Sequence, residues 1–136
     1  MHFSAVIVAA GASSRAGEGP RKPWRRVAGR SVVRWSVEAL LAAGAAPLVV
    51  VIAEGDEANA AEALAGLDGW TAVEGGAVRA LSVQNGLAAL AHQPDDLPVL
   101  IHDAARLFVT EDHVRARWTP WTEPMAPCPP CPSPTP

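Results

Sequence analysis

The sequence lacks a long hydrophobic run, an excess of basic residues, and cysteine outside its C-terminal tail. Its longest apolar run, residues 45–53, is far shorter than the roughly 20 residues that span a bilayer. The net charge of −3 argues against a general nucleic-acid binder, because such proteins usually carry a broad basic excess. Cys128 and Cys131 have no second pair, so we interpret their C-x-x-C spacing as chance. We therefore predict neither a membrane span nor a nucleic-acid partner.

The first ten residues are apolar but do not resemble a signal peptide. No Lys or Arg precedes them, and an arginine-bearing loop follows at once. We therefore expect a cytoplasmic protein.

Proline is distributed unevenly and divides the chain into two parts. Eight of the 13 prolines lie between Pro120 and Pro136, in a stretch with no hydrophobic period. We predict one folded domain over residues 1–117 and a disordered, proline-rich tail over residues 118–136.

The first part alternates short apolar runs with alanine-rich helical segments. Strands are predicted over residues 3–9, 48–53, 71–74 and 97–102, the first of them buried on both faces. Helices are predicted from Ser31, as a cap, to Gly44, from Asp56 to about Gly66, and over residues 78–91. Strands alternating with helices of this length predict an α/β fold with a doubly wound, mostly parallel sheet.

Ligands of such sheets bind beyond the carboxyl ends of the strands, so the loops after Ala9, Glu74 and His102 are the candidate site. Between Arg15 and Arg30 lie six of the chain's 11 basic residues and a single acidic one. Guanidinium forks, a mobile ammonium and close-approaching backbone amides all suit phosphate, so a triphosphate is the natural ligand. The alternative is a mobile, solvated loop.

The spacing of small residues excludes two common nucleotide-binding motifs. Gly11, Gly17 and Gly19 do not form G-x-G-x-x-G, and no Gly-Lys-Ser/Thr closes the loop as in a Walker A motif. The four histidines show no spacing typical of metal ligands, and we interpret them as surface or packing residues.

Three segments together resemble one known family. The first loop resembles the nucleotidyltransferase signature A-A-G-x-G-x-R followed by Pro-Lys. VEGGAVRALSVQNGL at residues 73–87 and IHDAAR at residues 101–106 are similar to the G-G-x-x-R-x-x-S-V-x-x-G-L and H-D-A-A-R-P segments of methylerythritol-phosphate cytidylyltransferases. The resemblance covers residues 3–117, the N-terminal half of a typical member.

The resemblance implies an activity and a fold. The family transfers CMP from CTP to 2-C-methyl-D-erythritol 4-phosphate and releases pyrophosphate, a step of non-mevalonate isoprenoid synthesis. It implies a Rossmann-like nucleotidyltransferase fold of the glycosyltransferase-A type, here truncated, and Mg²⁺ or another divalent cation as cofactor. It also implies homodimeric full-length relatives, and a parent form fused to the next-but-one enzyme of the pathway is one interpretation.

The resemblance also implies residue roles. Arg15 and Lys22 match the signature cations that neutralise charge on the α-phosphate. Asp103 is the candidate carboxylate ligand of the metal ion. The remaining matches are to nucleotide-binding positions: Ala9, Ala10, Gly11, Gly75, Gly76, Arg79, Ser82, Asp103 and Arg106. Of these, Gly75, Gly76 and Ser82 match the segment that reads cytosine, and Arg79 is expected to order that loop.

Some positions depart from the family pattern or have a plainer interpretation. Ser13 replaces the second signature glycine, Leu107 stands in place of the proline after H-D-A-A-R, and Ala77 replaces a frequent acidic residue. Lys22 has Arg21 before it and Pro23 after it, where the family usually has Pro and Gln. Seen alone, Asp103 is a turn cap and Ser82 an ordinary helix residue.

The tail suggests a shifted reading frame. Codons implied by residues 117–136, read one nucleotide out of phase with GC-favoured third bases, give a string ending like the family's P-V-x-D-T segment. We hypothesise that residues 118–136 are a frameshift product. A half-built parallel sheet exposes an apolar edge, so marginal stability and weak or no turnover are expected.

Two other functions also fit the sequence. One is a non-catalytic CTP-binding fragment, and the other is a related enzyme such as a ribitol-phosphate cytidylyltransferase. A sugar- or molybdopterin-nucleotidyltransferase shares the A-A-G loop but is not expected to carry both other segments.

Overall fold

A computed structural model of the chain describes residues 2–11, 19–107 and 109–117. Arg15, and with it most of the first signature loop, lies outside the described residues, as does the whole proline-rich tail. The helices are α1 (Val32–Ala42), α2 (Glu57–Ala63), α3 (Arg79–Ala88) and α4 (Glu111–Arg117). The strands are β1 (Phe3–Val8), β2 (Arg26–Val27), β3 (Arg30–Ser31), β4 (Ala45–Ile52), β5 (Trp70–Glu74) and β6 (Val99–Asp103).

The main sheet has four strands in the order β5-β4-β1-β6, and all of its pairings are parallel. The chain moves outward from β1 through β4 to β5 and then returns to place β6 on the other side of β1. The strand order therefore reverses between β1 and β6, which is the position where doubly wound sheets bind ligands.

Helices cover both faces of this sheet, as a doubly wound fold requires. On one face Phe3, Ala5 and Ile7 of β1 pack with buried residues of α1, α2 and α4. On the other face Val6 and Val8 pack with the segment that contains α3. All six residues of β1 are buried, which confirms the predicted strand buried on both faces.

The predicted elements occur with small shifts at their ends. β4 begins at Ala45 rather than residue 48, and α3 ends at Ala88 rather than residue 91. Gly44 follows α1 with a φ of 101°, as expected of a residue that ends a helix in the left-handed region. The described helices include none long and apolar enough to cross a membrane.

The prediction that Ser31 caps α1 is wrong in its chemistry. Ser31 occupies the N-cap position, but its hydroxyl makes no capping hydrogen bond and is buried without a partner among the described residues. Ser31 also belongs to the β2–β3 hairpin, and the next residue, Val32, donates its N–H to the Arg25 carbonyl at 2.8 Å. The backbone just before β2 therefore satisfies the first N–H of α1, whereas the Ser31 side chain satisfies none.

The outer strand β6 is less covered than its neighbours. Val99 and Ile101 point to the face that carries α3, and they are 39% and 42% exposed. α3 packs over β1, β4 and β5. An apolar strip therefore remains open on the described surface beside β6.

Candidate functional site

A cleft opens at the carboxyl ends of β1 and β6, at the point where the strand order reverses. Its volume is about 330 Å³. We call it the strand-end cleft, and it is lined by residues of three loops: Val8, Ala9, Ala10, Gly11, Lys22, Pro23, Gly76, Ala77, Val78, Arg79, Ser82, Asp103 and Ala105. Eight predicted site residues are therefore brought together here, although they are spread over most of the described sequence.

Backbone hydrogen bonds fix the floor of the strand-end cleft. The N–H of Ala9 donates to Val51 at 2.7 Å, and the N–H of Gly75 donates to Ile52 at 2.7 Å. The N–H of Ala104 donates to Val8 at 3.0 Å. The first residue after each of these strands thus uses its backbone N–H to continue the sheet. Only the N–H groups of later loop residues can donate to a ligand.

Gly75 is required by close packing. A Cβ atom at this position would lie 2.5 Å from the Cβ of Ala10 and 2.7 Å from the Oγ of Ser82. The alanine Cβ is fixed to its backbone and cannot rotate away, so no larger residue fits without moving the chain. Gly75 therefore joins the first and second loops by direct contact, just beneath the lining of the cleft.

Ser82 organises the same loop from the first turn of α3. It is 2% exposed, and its Oγ accepts a hydrogen bond from the Gly76 N–H at 3.2 Å. It is therefore more than the ordinary helix residue that its isolated position suggested.

Asn85, and not Arg79 as expected, holds this loop through its side chain. Among the described residues, the side chain of Arg79 makes no hydrogen bond or ion pair, and Arg79 is exposed at the start of α3. Asn85, which was not among the predicted site residues, donates its side-chain N–H to the Glu74 carbonyl at 3.0 Å. Its only sequence signal was a position one residue before Gly86 in the matched segment.

Lys22 of the first loop also lines the strand-end cleft. It begins a short 3₁₀ helix, Lys22–Trp24, in which Pro23 is buried and Lys22 itself is exposed. Lys22 and Arg79 bring two positive charges to the lining, against the one carboxylate of Asp103. This balance favours an anionic ligand.

Asp103 both shapes the third loop and faces the strand-end cleft. Its Oδ1 accepts the N–H of Ala105 at 3.0 Å, which is the turn cap considered for it from the sequence. It is half-buried and also lines a second cleft, of about 940 Å³, that runs along β6. We call this second cleft the outer-strand cleft.

Arg106 does not join the other predicted residues in the strand-end cleft. It lines the outer-strand cleft, together with Arg79 and Asp103. The third loop therefore separates the predicted phosphate-binding residues into two adjoining clefts, with Arg79 and Asp103 shared by both.

His102 supports the third loop from below. It is 9% exposed, and its Nε2 lies 3.2 Å from the Oγ of Ser36 and 3.2 Å from the carbonyl oxygen of Arg106. Because a carbonyl only accepts, Nε2 carries the proton in this arrangement. Burial lowers the pKa of His102, and the nearby Arg106 guanidinium adds to this, while the Arg106 carbonyl and Asp103 oppose it.

The described residues hold no group of three or more His, Cys, Asp or Glu side chains that could bind a metal ion. A lone carboxylate such as Asp103 nevertheless suits Mg²⁺ in phosphate sites, where one or two carboxylates and the phosphate oxygens share the ion. The donor set fits a metal that arrives with a polyphosphate and does not fit an all-protein metal cage.

Comparison with known proteins identifies the family. The sequence model of IspD, 2-C-methyl-D-erythritol 4-phosphate cytidylyltransferase, matches residues 3–126. The chain belongs to this family. The match confirms the resemblance that the three motifs indicated. It extends past residue 117, and the domain boundary predicted there stays a prediction.

The curated relatives of the chain are longer proteins. The bifunctional enzyme IspD/IspF of Caulobacter vibrioides is 59% identical over 116 residues, which cover 85% of this chain and 30% of that protein. The IspD/IspF enzyme of a Ruegeria species is 45% identical over 106 residues, 78% of this chain and 27% of that protein. The chain thus spans less than a third of the length of these relatives.

Solved structures with the same fold confirm the predicted fold class. A 4-diphosphocytidyl-2C-methyl-D-erythritol synthase from Anaerococcus prevotii superposes with a TM-score of 0.66 and 29% identity, over 84% of this chain and 48% of that chain. A nucleotidyl transferase from Methanothermobacter superposes with a TM-score of 0.67 and 26% identity, over 84% of this chain and 55% of that chain. The doubly wound α/β sheet is therefore that of the nucleotidyltransferases.

Proposed function

We propose that the strand-end cleft binds CTP and that the chain carries the nucleotide-binding part of the family's reaction. In that reaction CMP passes from CTP to 2-C-methyl-D-erythritol 4-phosphate, and pyrophosphate leaves. The observation that carries the proposal is the convergence of three distant loops on one cleft at the reversal of strand order. The family relationship supports the choice of nucleotide and acceptor.

The two sides of the strand-end cleft suit the two ends of a nucleotide. Gly76 and Ser82 form a closely packed wall of backbone and hydroxyl groups, which suits recognition of a base edge, since a wrong edge leaves buried polar groups unpaired. Lys22 also lines the cleft, where its ammonium group would neutralise charge that develops on the α-phosphate as the acceptor phosphate attacks. No covalent nucleophile is needed for this transfer.

Asp103, Arg106 and Arg15 complete the proposal. Asp103, with the nucleotide's phosphate oxygens, would hold Mg²⁺, which when bound supplies Lewis-acid neutralisation of phosphate charge. Arg106, at the adjoining outer-strand cleft, would bind the phosphate of the acceptor. The role of Arg15 stays a prediction from the resemblance.

We also propose that turnover by the 136-residue chain is weak. The outer-strand cleft, which would receive the acceptor, is broad, and Val99 and Ile101 beside it remain exposed. An acceptor held by so open a surface loses little of its freedom before reaction, so the rate gains little from positioning. Cytoplasmic location and dimerisation stay predictions.

Calorimetric titration of the chain with CTP, UTP and ATP in the presence of Mg²⁺ tests the binding proposal. CTP is expected to bind most tightly, and Lys22→Met is expected to weaken it by about tenfold, the effect of losing one charged hydrogen bond. Glu62→Gln, at an exposed residue that does not line the strand-end cleft, is the matched control and leaves affinity unchanged. Equal affinity for all three nucleotides, or no binding, contradicts the proposal.

A pyrophosphate-release assay with added 2-C-methyl-D-erythritol 4-phosphate tests the chemistry separately. Slow release that depends on both substrates supports the family reaction. Tight CTP binding with no pyrophosphate supports the non-catalytic alternative instead, and release with ribitol phosphate but not with methylerythritol phosphate supports the related enzyme.

A further inference from the structure

Asp56 makes contacts that its position in the sequence does not suggest. It stands at the N-cap position of α2, but its carboxylate makes no capping hydrogen bond to that helix. The residue is 4% exposed. A carboxylate is costly to bury unless its charge is matched and its oxygens accept hydrogen bonds, so its partners must be important to it.

Those partners come chiefly from the segment around Lys22. Oδ2 of Asp56 forms an ion pair with the Arg21 guanidinium and accepts the indole N–H of Trp24 at 3.0 Å. Oδ1 accepts the side-chain N–H of Asn59 at 3.1 Å. One carboxylate oxygen of Asp56 thus binds the side chains of Arg21 and Trp24, which lie just before Lys22 and two positions after it.

The backbone between these anchors is a single tight turn. The N–H of Trp24 donates to the Arg21 carbonyl at 3.0 Å, and the N–H of Arg25 donates to the Lys22 carbonyl at 3.2 Å. Pro23 is buried inside the turn. Because both flanks are tied to one buried atom, these contacts restrain the backbone of Lys22.

Asp56 itself does not line the strand-end cleft, whereas Lys22 does. We propose that Asp56 is a positioning residue that fixes the backbone of Lys22 and so directs its ammonium group into the strand-end cleft. This inference rests on the proposed function for the role of Lys22, but the clamp itself exists without a nucleotide. The two can therefore be tested separately.

The first test measures the clamp in the free protein. Amide hydrogen exchange of residues 21–25 and the indole N–H resonance of Trp24 are compared among the wild-type chain, Asp56→Asn and Asp56→Ala. We expect faster exchange in this segment and a shifted Trp24 resonance, with β1 and β4 unchanged. The indole groups of Trp35 and Trp70, which donate to Val27 and Leu67, serve as internal controls. Unchanged exchange and an unchanged resonance in both variants overturn the proposal.

The second test measures coupling to Lys22. CTP affinity, with Mg²⁺, is measured for Asp56→Ala in the wild-type background and in the Lys22→Met background. The expected loss is about tenfold in the first and none in the second, since a residue that acts through Lys22 has no further effect once that ammonium group is gone. Asp56→Asn keeps the volume and one acceptor oxygen, so its loss is smaller and a general folding defect is avoided.

Glu38→Gln is the matched control for charge. Glu38 also forms ion pairs with arginines, Arg30 and Arg34, but it lines a different cleft and not the strand-end cleft. It is expected to change neither affinity nor exchange at residues 21–25. Equal losses from Asp56→Ala in both backgrounds overturn the positioning role and leave a purely structural one. If the wild-type chain binds no CTP, the proposed function fails, and the exchange experiment alone decides whether the clamp exists.

Discussion

The two sides of the strand-end cleft are held in place by different forces. On the side of Gly75 and Ser82, the loop is packed so closely that a single added carbon would overlap its neighbours. On the side of Lys22, the turn is tied to one buried carboxylate through an ion pair and an indole hydrogen bond. The first side therefore depends on volume, and the second depends on charge.

The two sides should therefore be sensitive to different kinds of substitution. Close packing does not tolerate added atoms, because interiors are as dense as crystals of small molecules. A charged clamp tolerates small changes of volume but not loss of its charge, because the partner groups are then left buried and unpaired. The Asp56 variants described above test the charged clamp, and the Gly75 and Ser82 variants below test the packed side.

Gly75→Ala is expected to have the largest effect. The new methyl group would lie within 2.5 Å of the Ala10 Cβ, and forcing such an atom into a packed site costs about 1–3 kcal/mol of the free energy of unfolding. Urea unfolding of the free chain measures it. Gly11→Ala is the matched control, since its Cβ would meet nothing within 4 Å, and it should leave stability unchanged. Equal stability of the two variants would show that the packed side is not as tight as described.

The sequence predicts the packed side of the cleft but not the charged side. The adjacent glycines at 75 and 76 and the serine at 82 lie within one recognisable segment, so their neighbourhood is local and predictable. Two of the three partners of Asp56, Arg21 and Trp24, lie 35 and 32 positions away, and a carboxylate before an alanine-rich helix predicts a cap. Only the folded chain shows that it binds elsewhere.

The same reasoning explains which elements were missed. The β2–β3 hairpin has two-residue strands, too short for any alternation, and its turn places Ala28 at a φ of 51° where Asn or Gly is the usual signal. α4 has one buried residue, Val114, so it carries no hydrophobic period. By contrast, β1 and β4 are continuous apolar runs, and both were predicted because burial on two faces leaves a simple pattern.

Ser82→Ala is expected to have an intermediate effect on the packed side. The change removes the acceptor of the Gly76 N–H without adding volume, and one lost hydrogen bond costs about 1 kcal/mol of the free energy of unfolding. Ser4→Ala is the control, because the Ser4 hydroxyl is buried with no partner among the described residues. That variant should be neutral or slightly stabilising. A larger loss from Ser4→Ala than from Ser82→Ala would contradict the assigned hydrogen bond.

The third loop supplies the smallest expected effect, which depends on pH. Burial lowers the pKa of His102 in the folded chain, so the unfolded chain binds the proton more readily. The free energy of unfolding should therefore fall as the pH drops below the unfolded value of about 6.5 toward the lower folded pKa. His102→Gln keeps a donor for the Arg106 carbonyl and removes the titration. Parallel stability profiles for the variant and the wild-type chain in this pH range would rule out His102 as the cause.

The most direct test of the account is to map where CTP binds. Amide resonances of the chain are followed by NMR during titration with CTP and Mg²⁺. We expect the largest changes at residues 9–11, 22, 76–82 and 103–105, the three loops of the strand-end cleft. Changes concentrated instead among Arg26, Arg34 and Glu62, which line a separate cleft between the hairpin, α1 and α2, would contradict the proposal that the strand-end cleft is the nucleotide site.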